Sequence, residues 1–347
     1  MGVYMESIYN LNLDDLEVYL IKNSYKKYRA VQIMEWLYIK RVDSFSLMTN
    51  LSKDLIEKLE HDFYFDDLKI IKRQDDKDVS KFLIELNDKN LVEAVLMNHD
   101  YGNSLCISSE VGCNMACSFC ESGRIKKIRN VTSGEMVLEL MTIEKAINTR
   151  ISHVVIMGIG EPFDNYSNFC DFISIVNYQK GINLGSRHIT VSTCGIVPKI
   201  YEFSEFPYQV NLAISLHASN NELRSKLMPI NKVYPLEELM KAIENYISKT
   251  NRRVTFEYIM LKGVNDKIEN AIELSNLLKE MNCYVNLIPY NTTSNDSIFK
   301  KSDKEQIIKF YDTLKKNNIN VTIRKEFGSK VMAACGQLRD NYEEELK

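Results

Sequence analysis

Beyond residue 130 the chain alternates between two hydrophobic periods, and nothing else in the sequence constrains its fold as strongly. Segments with apolar residues at three- and four-residue spacing lie at 133–147, 166–178, 235–248, 266–281 and 303–317. Between them run short β-type stretches: HVVIMG (153–158), RHITVST (187–193), QVNLAISLH (209–217), RVTFEYIML (253–261), YVNLIPY (284–290) and NVTIR (320–324). Parallel strands need a crossover long enough for a helix. The repeated β–α unit therefore predicts an α/β fold, a parallel sheet with helices outside, either open or wrapped into a complete or partial barrel. Ligands of such folds sit at the carboxyl ends of the strands, so the residues just after each run are the ones to inspect.

The first sixty residues have a different character. LDDLEVYLI, YRAVQIMEWLYIK and LSKDLIEKLEHDF carry helical spacing, with Ser52 as a candidate N-cap. From about residue 80 the runs KFLIEL, LVEAVLM and SLCISS read as strands, which places a boundary near 65–80, around the charged stretch KRQDDKD. The apolar fraction, 45% of 347 residues, suffices for a full core and excludes a disordered chain. No apolar run reaches the roughly 18–20 residues of a membrane helix. The N-terminus has no basic and apolar signal pattern, so a soluble cytoplasmic protein without membrane contact is expected. A formal charge of −3 excludes a polycation, and nucleic-acid contact would need local patches. The candidates are Lys26, Lys27 and Arg29, the stretch Arg124 to Arg129, Arg252 and Arg253, and Lys300 and Lys301.

Eight cysteines without a secretory signal point to reduced thiols rather than a disulfide framework. Cys113, Cys117 and Cys120 are spaced C-x3-C-x2-C just after a strand. Three thiolates on one tight loop can hold three irons of a [4Fe-4S] cluster and leave the fourth open. A structural zinc site wants four ligands, and no fourth Cys or His lies at the usual spacing. An open iron can chelate the amino and carboxylate groups of S-adenosyl-L-methionine.

The C-x3-C-x2-C loop is similar to the radical S-adenosylmethionine signature. The rest of the chain resembles one group of these enzymes, the RlmN/Cfr family that methylates adenine in ribosomal RNA. The matching pieces run in order along nearly the whole chain: YRAVQIMEWLY, TNLSKDL, VEAV, LCISSEVGCNMACSFC, RNVTSGE, MGIGEP, VSTCGIVP, LAISLHAS, LRSKLMPIN, FEYIMLKGVND, VNLIPYN and AACGQL. The resemblance implies a partial (β/α) barrel core at 101–325. Before it come an N-terminal helical RNA-binding accessory domain (1–75) and linking strands (76–100), and after it a C-terminal segment (326–347).

The resemblance also implies roles. Gly160 and Glu161 in MGIGEP, Ser192, the run Ser215-Leu216-His217, and Asn291 become contacts to S-adenosyl-L-methionine. Cys335 becomes the thiol that is methylated and then carries the methylene group to the base. Cys106 becomes the thiol that resolves the protein–RNA adduct by forming a disulfide with Cys335. Glu93 becomes the candidate proton acceptor, in a role divided with Cys106. Taken alone, Glu93 would read as a solvent-facing strand carboxylate and His217 as a core histidine. Cys170, Cys194 and Cys283 match no functional position and read as structural.

The implied activity is C2-methylation of adenine 2503 in 23S rRNA, with adenine 37 of some transfer RNAs as a second substrate. It would consume two S-adenosyl-L-methionine per turnover and draw electrons from a donor such as flavodoxin or ferredoxin. The rival within the family is C8-methylation of the same adenine, as in the antibiotic-resistance branch. MGIGEP, LAISLHA, FEYIML and VNLIPYN lean toward C2. A rival of another class is a non-catalytic RNA-binding or ribosome-assembly factor with a structural cluster. The chain departs from the family at Glu121-Ser122-Gly123, at Ser329-Lys330-Val331-Met332 and at Thr292. None of these is a cluster ligand or a catalytic thiol.

Overall fold

The computed structural model describes residues 5–291 and 298–324. Three helices open it: α1 (Leu13–Lys22), α2 (Arg29–Tyr38) and α3 (Lys53–Asp62). Each buries one stripe, with Leu16 and Leu20 on α1, Ile33, Met34 and Leu37 on α2, and Leu55 and Leu59 on α3 fully inside. Asn12 caps α1 by accepting from the Asp15 N–H at 3.0 Å. Ser52 stands at the N-cap of α3, but its side chain makes no capping bond.

Four antiparallel strands follow: β1 (Lys69–Asp76), β2 (Val79–Glu85), β3 (Leu91–His99) and β4 (Gly102–Ile107). The charged stretch KRQDDKD, read as a boundary, is largely β1. Its charges suit an edge strand, where one row of side chains faces water and like-signed neighbours discourage pairing with other chains. Residue 75 falls inside this strand, and β2 and β3 are full members of the main sheet.

The β–α alternation then continues through α4 (Ser133–Ile147), β5 (His153–Ile156), α5 (Tyr166–Asn177), β6 (Ile189–Thr193), α6 (Val197–Phe203), β7 (Asn211–Ser215) and α7 (Asn221–Leu227). It ends with α8 (Leu236–Thr250), β8 (Val254–Met260), α9 (Ile268–Leu277), β9 (Cys283–Pro289), α10 (Lys304–Lys316) and β10 (Val321–Ile323). These ten strands make one sheet in strict chain order, parallel from β4 to β10, with two short two-stranded ribbons elsewhere among the described residues. β1 and β10 lie at opposite ends of the sheet, so the barrel is partial, as the resemblance implies. Among the described residues, no helix is long and apolar enough to cross a membrane.

The register divides the sheet into two faces. One carries Phe82, Ile84, Leu96, Leu105, Ile107, Val154, Ile156, Val191, Leu212, Ile214, Phe256, Val285 and Leu287, all buried in the main core with the helices. The other, on the inner side of the curve, carries Glu93, Cys106, Ser192, Ser215, Glu257 and Asn286. This second face bears the polar chemistry.

The helical module is fastened to the barrel at the start of α4. Thr132 and Glu135 form a capping box, with the Glu135 N–H donating to Thr132 Oγ1 at 3.2 Å and the Thr132 N–H to Glu135 Oε2 at 2.9 Å. Arg129 holds the same carboxylate through two bonds of 2.7 and 2.8 Å. Ser133 and Gly134 then donate to the carbonyl and side chain of Asn10 at 3.0 and 3.2 Å. A Cβ at Gly134 would lie 2.7 Å from Asn10 Oδ1, so this close approach requires glycine. Arg41 pairs with Glu144, and Asn12 with Asp171 at 3.0 Å. RNVTSGE is thus explained by capping and docking.

Candidate active site

The loop between β4 and α4 is shaped before any ligand enters. Gly112 has φ +78, and a Cβ there would sit 2.4 Å from the Lys126 carbonyl oxygen. The Cys113 N–H donates to Ile125 O at 2.8 Å, and the Ser118 N–H reaches across to Leu227 O at 2.9 Å. Between these anchors Cys113, Cys117 and Cys120 face one cavity at the carboxyl ends of the parallel strands. Phe119, Gly158, Gly160, Glu161, Ser192, Ser215, His217 and Glu257 share its wall. It encloses about 950 Å³ including its mouth, within the size range of small-molecule sites.

Burial pushes the Cys113 thiol up to about 12 and also raises Cys117 and Cys120, with the thiols' mutual repulsion adding to the effect at Cys113 and Cys117. Three such thiols fit a cationic group that can hold them as thiolates. Among the described residues, no three ligand side chains converge as a single metal ion needs. Thiols arranged around a shared cavity suit a multi-iron cluster, in which each binds a different iron.

MGIGEP turns directly out of β5. A Cβ at Gly158 would stand 2.5 Å from the Ile107 carbonyl oxygen, and one at Gly160, with φ +106, 2.6 Å from the Glu110 side chain. Glu161 is buried and already engaged. Its Oε1 accepts from the Phe163 N–H at 3.0 Å and its Oε2 from the Cys194 N–H at 2.7 Å, joining the turn after β5 to the turn after β6. Burial raises its pKa, against these hydrogen bonds. Beneath the turn, Glu110 accepts from the Glu161 N–H at 3.0 Å and pairs with Lys127 at 2.5 Å. Burial lifts Glu110 to about 7.

Ser192 and Ser215 touch at 3.4 Å on the inner face. Leu216 points into the main core and meets no part of the cavity wall; its N–H donates to Glu257 O at 3.1 Å. His217, at φ 58, accepts at Nδ1 from the Ile259 N–H at 3.1 Å, which leaves the proton on Nε2. Burial, with Arg224 adding to it, drops its pKa to about 3. Its folded value lies below its unfolded one, so the stability it contributes is present above about pH 6.5 and is lost as pH falls toward 3. His217→Asn keeps an acceptor near Nδ1 and tolerates the left-handed backbone. It should flatten the acid limb of a stability-versus-pH profile by up to roughly 5 kcal/mol. An unchanged slope below pH 6.5 would show that His217 is not the group responsible.

Two residues here receive no role from the sequence, although Arg224 stands in LRSKLMPIN and Glu257 in FEYIMLKGVND. Arg224 on α7 is fully buried and donates to Leu216 O (3.2 Å), Ser215 O (3.2 Å), Cys194 O (2.7 Å) and Asn231 Oδ1 (3.0 Å). It ties together the ends of β6 and β7. Glu257, in the middle of β8, accepts from Asn286 at 3.0 Å through Oε1. Its buried Oε2 has no hydrogen-bond partner among the described residues. An orphaned acceptor on the cavity wall calls for a ligand that carries donors, and the hydroxyls and amines of S-adenosyl-L-methionine provide them.

Cys106 and Glu93 lie on the inner face beside the cavity. Cys106 packs with Val95, Met97, Ile159 and Met157, and Met157 also lines the cavity. Glu93 is 3% exposed and pairs with Lys81 at 2.6 Å. The solvent-facing carboxylate that strand alternation alone suggests is therefore buried, because the curve of the sheet encloses this face. Asn291 sits just beyond β9, off the cavity wall, and its side chain turns back to Pro289 O at 3.5 Å. Cys335 lies outside the described residues. No two of the described cysteines are joined by a disulfide, and the expected Cys106–Cys335 pair involves Cys335, outside the described residues. The Arg124–Arg129 stretch is largely consumed internally, with Arg124 on Glu121, Lys127 on Glu110 and Asp164, and Arg129 on Asp88 and Glu135.

Comparison with known proteins agrees with this geometry. The Radical SAM superfamily profile matches residues 107–275, and that of the ribosomal RNA large subunit methyltransferase N-terminal domain matches residues 7–64. The chain is 53% identical over 342 residues to a probable dual-specificity RNA methyltransferase RlmN of Enterococcus faecalis, covering 96% of each chain. A protein of the same description from Acholeplasma laidlawii is 52% identical, over 96% of this chain and 98% of the other. A crystal structure of a radical SAM methyltransferase from Sphaerobacter thermophilus superposes with a TM-score of 0.88 at 39% identity, over 96% of this chain and 99% of that one. With both profiles in place and full-length relatives above half identity, the chain belongs to the RlmN family of radical S-adenosylmethionine RNA methyltransferases.

Proposed function

We propose that this protein methylates carbon 2 of an adenine in 23S rRNA, position 2503 by family, and adenine 37 of some transfer RNAs, with Cys335 as the methyl carrier. The observation that supports this most is a single cavity at the strand ends. It joins three cluster-type thiols to polar strand-end groups, with Cys106 and Glu93 on the adjoining inner face. Cys113, Cys117 and Cys120 would hold a [4Fe-4S] cluster. Gly160, Glu161, Ser192, Ser215 and His217 would hold S-adenosyl-L-methionine. Bound there, the cluster supplies an electron, and S-adenosyl-L-methionine supplies the methyl group and the means of abstracting a hydrogen atom from it. The donor is a low-potential protein such as flavodoxin or ferredoxin, and the setting is the cytoplasm.

The chain's own residues do the rest. Carbon 2 of adenine is electron-poor and does not attack an electrophilic methyl group, so a covalent carrier divides the difficult step. Cys335 carries the one-carbon unit to the base. Glu93 takes the proton that leaves carbon 2, and the Cys106 thiolate attacks the Cys335 sulfur: an S–S bond forms as the sulfur–carbon bond breaks, and the electron pair left on the one-carbon unit takes up a proton to give the methyl group. The buried inner face excludes water from these steps. The helical module (1–75) would grip the RNA through backbone and shape, and the target base must leave its stack to reach the thiol. Cys335→Ala should abolish methyl transfer with S-adenosyl-L-methionine binding intact, and Cys106→Ala should accumulate a covalent protein–RNA adduct on a denaturing gel. Normal turnover by the first variant would remove the carrier role, and normal product release by the second would remove the resolving role.

A further inference from the structure

Lys81 is a lysine buried in the wall of the inner face. It lies on β2 opposite Val95, which lies opposite Cys106 on β4, while Glu93 is two residues before Val95. Directly opposite residues share a face, so Lys81, Glu93 and Cys106 project to the same side. Lys81 Nζ meets Glu93 Oε1 at 2.6 Å, with side-chain exposures of 11% and 4%. Around them on this face lie the apolar Val79, Val95, Met97 and Ile159. Burying two charges among such groups is costly, and replacing the pair by apolar side chains would serve stability as well or better. The pair therefore calls for a chemical reason.

We infer that Lys81 is a positioning residue that holds Glu93 as an oriented carboxylate, ready to accept the proton from the RNA adduct. The inference rests on the reading of Glu93 as proton acceptor. A lone carboxylate in this apolar patch would take up a proton and lose its capacity to act as a base. In the step itself the carbon–hydrogen bond at C2 breaks, its electron pair stays with the ring, and an O–H bond forms on Glu93. Lys81 keeps its charge throughout, and the step needs no oxidant or reductant. Among the described residues, the same face also carries Lys72 from β1, through its register with Leu83, and Cys106 from β4. Glu139 reaches the region from α4 by accepting from the Ser108 N–H at 3.2 Å, and Ser108 Oγ donates to the Glu93 carbonyl at 2.7 Å. Lys81 contacts the Glu93 carboxylate directly.

The test uses full-length enzyme with its cluster, methylated at Cys335, and an RNA fragment bearing the target adenine. Release of product from the covalent adduct is timed in single turnovers from pH 6 to 9.5. The variants are Lys81→Met, Lys81→Arg, Glu93→Gln and the double variant Lys81→Met/Glu93→Gln. Thermal unfolding and S-adenosyl-L-methionine affinity identify any variant that has merely lost its fold. Lys81→Met should release product about 10- to 100-fold more slowly at pH 7 and recover as pH rises, a smaller loss than the roughly 10²- to 10⁴-fold of removing a general base outright. Lys81→Arg should follow the wild type. Glu93→Gln should be slow at every pH, and adding Lys81→Met to it should change nothing further. Wild-type release by Lys81→Met alongside slow Glu93→Gln would overturn the role of Lys81 and leave that of Glu93 standing. Wild-type release by Glu93→Gln would overturn both. A pH-independent loss in Lys81→Met that Lys81→Arg does not rescue would reduce Lys81 to a structural part.

Discussion

Replacing Cys117 by Ala should yield a protein that folds and binds no cluster, with iron falling from about four per chain to fewer than about one and methylation falling to background. Two ligands cannot retain what three hold on this loop. The fold should survive because the loop is anchored by backbone bonds that do not involve the thiol, from the Cys113 N–H to Ile125 O and from the Ser118 N–H to Leu227 O. Truncating one small thiol should shift the stability of the cluster-free protein by less than about 1 kcal/mol. Iron analysis and the optical spectrum after anaerobic reconstitution, with a thermal melt of the cluster-free protein, check the two halves separately. A Cys117→Ala protein that keeps its full iron complement would show that another residue is the third ligand.

The second large effect concerns Arg224. Replacing it by Met should destabilise the protein by about 3–5 kcal/mol, because three backbone carbonyls and the Asn231 side chain lose a buried donor together. For a chain of 347 residues unfolding as one unit, that is a fall in Tm of about 4–7 °C. The affinity for S-adenosyl-L-methionine should fall more than tenfold, since the ends of β6 and β7 that carry Ser192, Ser215 and His217 lose their common clamp. Lys in place of Arg should recover less than half of either loss, because a single ammonium cannot serve four acceptors placed around a planar fork. Calorimetry of unfolding and of ligand binding measures both. An Arg224→Met protein with wild-type affinity would show that the strand ends hold their positions without it.

The same two residues show what the sequence can and cannot reveal. Cys117 was legible because its partners lie within a few residues and the spacing itself encodes the chemistry. Arg224 was not. It sits on α7, a seven-residue helix too short to establish a period, and its acceptors are backbone carbonyls up to thirty residues away. Helices α4, α5, α8, α9 and α10 were legible because each shows an apolar stripe over ten or more residues, whereas α6 and α7 are too brief for one. The charged strand β1 resembled a linker because an edge strand and a linker meet the same demand for exposed charge.

At Glu93 the alternation was read correctly but its consequence was not. Period two says that a side chain faces away from the apolar core, and whether that second face is wet depends on the curvature of the whole sheet. Lys81 and Glu257 were missed for the same reason. Leu216 illustrates the converse: it sits inside a motif of site residues, yet its side chain belongs to the apolar face.

The most direct test of the account is mass spectrometry of nucleosides from a 23S rRNA fragment incubated anaerobically with reconstituted enzyme, reductant and methyl-labelled S-adenosyl-L-methionine. The account predicts labelled 2-methyladenosine at the single target adenine. Labelled 8-methyladenosine, or no methylated adenosine from enzyme with an intact cluster, would contradict it.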